Sequence, residues 1–206
     1  MLDWIGQHSS VVQAGVGVIT ALVWLVYLHI MVSGFRRQRR SEILITLGGP
    51  RRVSGHLFVS NLGFEPIYVL DILLTCCRDQ DKVTVSIVDR FDEGDTGDGR
   101  VTLQMPLNSG DHVDAGRISD LLERARARSD QISDIGDFAS LRITVAALTA
   151  ANAGIVAAER SFRVLQDDDE PVLQAEQLYA RQIRGRHARK SIEAQLKDDF
   201  RRRRVS

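Results

Sequence analysis

The stretch PIYVLDILLTCCR, residues 66–78, is apolar on both faces when laid out as a strand. Tyr68, Leu70, Ile72, Leu74 and Cys76 form one row, while Ile67, Val69 and Leu73 occupy the other, interrupted by Asp71 and Thr75. Side chains of a strand alternate between its two faces, so a strand with two apolar faces is covered on both sides, by its own chain or by a partner. The segment GRISDLLERARAR, residues 116–128, offers the cover: Ile118, Leu121, Leu122 and Ala125 fall at helical spacing, and Asp120 is placed to pair with Arg124.

Working outward, six more segments read as strands: residues 42–48, 53–61, 82–89, 100–105, 138–148 and 154–166, each rich in branched residues and bounded by turn formers. Alternation points Val53, Leu57 and Val59 inward, with Val83, Val85 and Ile87 from a second strand and Leu141, Ile143 and Val145 from a third. Seven strands at this spacing predict a mainly β domain with some α, an immunoglobulin-like antiparallel β-sandwich with one inserted helix.

Before the strands, residues 11–32 form a 22-residue apolar run, and no Asp, Glu, Lys or Arg occurs between Ser9 and Phe35. That length spans a bilayer as a helix, and neither a basic leader nor a small-x-small cleavage site marks a removable signal. The leader MLDWIGQHSS has no Lys or Arg, whereas FRRQRR follows the run directly, so the expected orientation is amino terminus outside and domain inside. Within the helix Ser10, Ala14, Gly17 and Ala21 make a stripe of small residues suited to helix–helix packing, with Gln13 and Thr20 beside it as cross-contact hydrogen-bonders.

The net charge of zero is a sum of unlike parts. Residues 41–170 carry 13 Lys/Arg against 22 Asp/Glu, and residues 171–206 carry 10 against 4. An acidic body is thus bracketed by a collar of Arg36, Arg37, Arg39 and Arg40 and by a tail ending in Arg201, Arg202, Arg203 and Arg204, both suited to anionic lipid headgroups. The tail reads as a basic helix in two pieces broken near Gly185, its narrow stripe of Ile192, Leu196 and Phe200 available to dock on a partner. The domain boundaries that follow are a leader at 1–10, a transmembrane helix at 11–35, a basic collar at 36–41, the β domain at 42–166 and the tail at 167–206.

Signs of chemistry are few. The acidic loop with Asp89, Asp92, Glu93, Asp95 and Asp98 lacks the ligand spacing of an EF-hand, and the five histidines show no metal-ligand spacing. No phosphate loop, nucleophile elbow or Cys-x-x-Cys occurs, so the reading names no catalytic residue, no metal and no cofactor. The only cysteines, Cys76 and Cys77, are neighbours on one strand; one is expected in the core and the other exposed to solvent or a partner. The acidic body argues against nucleic acid.

The run FRRQRRSEILI followed by VSNLGFEPIYVLDILL resembles uncharacterised bacterial single-pass membrane proteins with a cytoplasmic β-sandwich, over residues 20–75. The resemblance implies no activity and no site. The expectation is therefore a non-enzymatic interaction module in the bacterial inner membrane. It would be an accessory or scaffold subunit meeting a membrane complex, or a second copy of itself, through its helix and tail. The rival expectation is a membrane-tethered sensor, redox-responsive through Cys76 and Cys77 or metal-responsive through the acidic loop.

Overall fold

The stretch at residues 66–78 becomes an interior strand of the larger of two antiparallel sheets. The computed structural model describes residues 9–38, 42–78, 81–88, 103–149 and 154–203. The chain divides into two compact units between Arg40 and Ser41. The first is helix α1, Ser9–Gln38, in which the 24 residues Val11–Gly34 are long and apolar enough to cross a membrane, with none of them buried.

The second unit is mainly β with two further helices. Strands β1 (Ile43–Gly48), β2 (His56–Asn61) and β6 (His112–Arg117) form a three-stranded sheet in the order β1-β2-β6. The larger sheet runs β10 (Arg181–Ile183), β8 (Ile155–Leu165), β7 (Ser140–Thr149), β3 (Ile67–Arg78) and β4 (Asp81–Ser86). Two short strands attach to it: β5 (Pro106–Leu107) on β3 and β9 (Val172–Ala175) on β8.

One core lies under both sheets. Ile43, Ile45, Leu57, Val59, Val113 and Ala115 come from the small sheet, and Ile72, Leu74, Leu141, Ile143, Val145 and Phe162 from the large one. Helix α2 (Ile118–Arg128) adds Ile118, Leu121, Leu122 and Ala125 to this same core, the four positions its spacing predicts. It does not cover the second face of β3.

A bulge explains the double-sided pattern of β3. Its pairing with β7 shifts between Val69 and Asp71, leaving Leu70 as the extra residue, and Gln104 donates from Nε2 to the Leu70 carbonyl at 3.0 Å. The bulge moves the inward row from Ile67 and Val69 onto Ile72, Leu74 and Cys76, all buried. Strict alternation instead put Tyr68 and Leu70 in that row; Tyr68 is exposed.

The tail differs most from expectation. Residues 172–183 are not helical: β9 and β10 pair in succession along one edge of β8, Leu165↔Val172 to Phe162↔Ala175 and then Glu159↔Arg181 to Ala157↔Ile183. Sheet pairing over such short spans overrides the helix-favouring Gln, Ala, Glu and Arg of this segment. The segment also joins the two sheets. Leu173 N donates to the Arg51 carbonyl at 2.7 Å, and the Gln182 amide bonds both the amide and the carbonyl of Ile43, at 3.2 and 2.7 Å. The acidic run before it is pinned, with Asp167 on Arg52 at 2.6 Å and Glu170 accepting from Ser54 N and Oγ at 2.7 and 2.9 Å. Only the second piece of the tail is a helix, α3 (Arg186–Arg203).

Strand β6 was not expected, because HVDAGR alternates over only two apolar positions, Val113 and the small Ala115. Gly116, at φ 105°, sits where the β2–β6 register shifts, in a conformation that favours glycine. The strand expected at 100–105 falls partly outside the described residues. Met105 accepts from Val69 N at 2.9 Å beside β5 without itself joining a strand.

Candidate functional site: a basic cleft behind the large sheet

The register of the large sheet places its second face residue by residue. Thr84, Thr75, Arg142 and Ser161 lie in one row across β4, β3, β7 and β8. The next row is Ser86, Leu73, Thr144, Glu159 and Arg181, and beyond the bulge come Asp71, Ala146, Ala157 and Ile183. The face is therefore apolar at one end and rich in hydroxyls and charge at the other.

Helix α3 covers the apolar end. Ile192, 8% exposed, packs with Ala146, Ala157 and Ile183, and Leu196 packs against the same group. Arg189 Nε also donates to the Ile183 carbonyl at 3.1 Å. Of the stripe expected to dock on a partner, Ile192 and Leu196 are thus engaged within the chain, because the second face of the sheet needs this cover. The side chain of Phe200 lies outside the described residues.

The polar end stays open as a cleft of 610 Å³ between sheet and helix. Its lining carries the cations Lys82, Arg142, Arg181 and Arg184 against one carboxylate, Glu159. Arg181 holds that carboxylate through Nε and Nη2, at 3.0 and 2.6 Å, and Arg184 lies 3.6 Å from Glu42. Arg142 donates from Nε to Ser161 Oγ at 3.3 Å, and Thr75 and Thr84 share a hydroxyl contact of 2.9 Å. Among the described residues, none accepts from the terminal nitrogens of Arg142 or pairs with Lys82. The sequence reading missed this site because its members come from five strands and a helix; the signal present was the recurrence of Lys, Thr, Ser and Arg on the non-core positions of β4, β3 and β7.

The cysteines sit beside the cleft without entering it. Cys76 points into the core and Cys77 to the second face, opposite Lys82 and Ser140. Both are buried and unpaired, so neither is the exposed thiol expected. Burial, with a smaller contribution from neighbouring Cys77, pushes the Cys76 thiol up to about 11. The thiolate is the reactive form, so Cys76 is inert near neutral pH.

The other expected positions are placed as follows. In α1, Ala14, Gly17 and Ala21 are exposed, and nothing stands within 4 Å of a Cβ built on Gly17. Thr20 Oγ1 donates to the Val16 carbonyl at 2.8 Å, inside its own helix. Arg201 is exposed. Arg39, Arg40, Arg204 and the acidic loop lie outside the described residues, as do the side chains of Ser10, Arg36, Arg37, Arg202 and Arg203. Among the described residues no group of three His, Cys, Asp or Glu comes together as metal ligands. On the outer face of the small sheet, His56 and His112 flank the Phe58 ring, with centroids 6.4 and 6.2 Å away, and His56 Nδ1 lies 2.7 Å from Asp114 Oδ2.

Large apolar side chains also stand exposed on the two turns that flank β1. Leu62 and Phe64 occupy the β2–β3 turn, tied to the start of β1 by Leu62 N on the Glu42 carbonyl at 2.8 Å. Leu178 and Tyr179 occupy the β9–β10 turn, where Arg160 donates to the carbonyls of both Ile45 and Leu178. No family model matches the chain, and neither does any curated protein or solved structure.

Proposed function

We propose that this chain is a membrane-anchored interaction module, an accessory or scaffold subunit of a larger inner-membrane complex rather than an enzyme. Its amino terminus lies outside and its β domain in the cytoplasm, following the arginine collar. In this reading the two sheets act as an immunoglobulin-like sandwich, a framework whose turns present contacts. The arginines of the collar and at the end of α3 meet anionic lipid headgroups, and the small-residue stripe of α1 meets another membrane helix, from the complex or from a second copy of the chain.

The observation that carries the proposal is the set of four large apolar side chains exposed around β1, with Phe64 at 71% and Leu178 at 77%. Single exposed apolar residues are ordinary, but two such pairs flanking one strand present a contact surface. Purification of the full chain in mild detergent, followed by mass spectrometry, tests it. A stoichiometric partner or a homo-oligomer is expected, and a double change of Phe64→Ser and Leu178→Ser should release it without altering the circular dichroism. Recovery of a bare monomer refutes the proposal. Digestion of the β domain by protease added to intact spheroplasts refutes the orientation.

A further inference from the structure

The cleft behind the large sheet has the chemistry of a ligand site, and we propose that it binds a small organic phosphate whose oxyanions lie between Lys82 and Arg142. This inference does not depend on the scaffold reading. The volume of 610 Å³ falls within the range of small-molecule pockets, roughly 300–1,000 Å³.

Charge selects the ligand class. The domain before Pro171 is acidic overall, yet the cleft gathers four cations; Arg181 is held by Glu159 and Arg184 by Glu42, which leaves Lys82 and Arg142 for an incoming anion. Arg142 is fixed by its Nε contact with Ser161, which leaves the fork of its terminal nitrogens for an incoming acceptor. The Ser191 hydroxyl stands in the same lining, and of the paired Thr75 and Thr84 hydroxyls the one that accepts in their mutual contact keeps its own hydrogen to donate to a further oxygen.

Geometry narrows the class to anions with several oxygens. Arg142 on β7 and Thr84 on β4 share a row with β3 between them, so they are separated by about two strand spacings, roughly 10 Å. Lys82 lies two residues further along β4. A diphosphate or a phosphate ester with a polar body carries enough oxygens to meet both cations and the hydroxyl lining between them, which the two oxygens of a lone carboxylate do not. Leu73, Ile183 and Ile192 supply an apolar wall for the organic part.

The helix wall agrees with this assignment. Helix α3 begins after Gly185, which has no capping side chain, and has no acidic residue in its first turn, while Arg186, His187, Arg189 and Lys190 crowd its start. That charge order opposes the helix dipole, and an anion beside the first turn corrects it. Gly185 and Ala188 line the same cleft, so the positive start of the helix forms part of its wall.

The test is calorimetric titration of pyrophosphate into the full chain held in nanodiscs of zwitterionic lipid. Saturable binding is expected, and Arg142→Met and Lys82→Met should each weaken it by roughly tenfold or more, the effect of losing one charge-assisted contact. Arg117→Gln, on an exposed residue outside the cleft, should leave it unchanged. Lys82 is itself exposed, so its variant remains informative if Arg142→Met fails to fold. The absence of saturable binding, or equal binding by wild type and Lys82→Met, overturns the proposal. A repeat in discs of phosphatidylglycerol separates the sources of phosphate: unchanged affinity supports a soluble ligand, and competition by the lipid overturns that assignment in favour of a headgroup.

Discussion

Replacing Ile192 by alanine tests whether α3 belongs to the fold or hangs from it. Among the described side chains of the helix, Ile192 is the one buried against the sheet, 8% exposed beside Ala146, Ala157 and Ile183. Buried isoleucine-to-alanine changes cost 2–5 kcal/mol, and a neighbourhood of two alanines and a partly exposed Leu196 argues for about 2 kcal/mol here. The remaining ties, Leu196 packing and the Arg189 contact with the Ile183 carbonyl, are too few to compensate. A loss of that size multiplies the opening equilibrium of the helix by roughly 30. Hydrogen exchange followed by mass spectrometry should show faster exchange in α3 and in the segments holding Ala146 and Ala157, with β1, β2 and β6 unchanged. If α3 exchanges at the rate of a free peptide in the wild type, or if the variant leaves its protection intact, the intramolecular docking argument fails.

Three further outcomes follow from packing and charge. The Cys76 thiol is raised from an ordinary value of 9.0 to about 11, so the folded chain holds its proton longer than the unfolded chain; stability should be intact below about pH 9 and fall towards about pH 11 in urea titrations, a fall that Cys76→Val removes. A Cβ on Gly55 would run into the Pro50 carbonyl, which cannot yield, whereas one on Gly48 meets the Phe58 ring, which can rotate; Gly55→Ala should cost roughly 3 kcal/mol and Gly48→Ala about 1 kcal/mol, read as shifts in urea midpoint. Arg160→Met removes the guanidinium donors to the Ile45 and Leu178 carbonyls and should cost about 2 kcal/mol by the same measurement, with loss of protection in β1.

Six strands were legible: β1, β2, β4, β7 and β8 from branched residues set between turn formers, and β3 from its length and apolar content, although its alternation breaks at Leu70. Others were hidden for physical reasons. Strand β6 offers only Val113 and Ala115 to the core, and β9 and β10 are too short for alternation to outweigh helical composition. Nothing local announced the Leu70 bulge, which depends on pairing with β7 and on Gln104 reaching across. Helix α2 was found with its buried face correct but assigned to the wrong side of β3, since periodicity states which residues face a sheet and not which sheet surface they face. The cleft was illegible for the same reason: Lys82, Arg142 and Arg181 are brought together by register, and register is a long-range property. Ile192 and Leu196 were recognised as a stripe, and its target proved to be the chain itself.

The edge of β8 that β9 and β10 complete has a bearing on synthesis. A nascent chain leaves the ribosome with β8 outside before residues 172–183 have emerged to pair with it, and with Ala146 and Ala157 bare until Ile192 emerges. During that interval the growing polypeptide presents an unpaired strand beside an uncovered apolar surface, the combination most prone to misassociation. Frameshift or truncation lesions between β8 and α3 should therefore yield insoluble product rather than a shortened working protein.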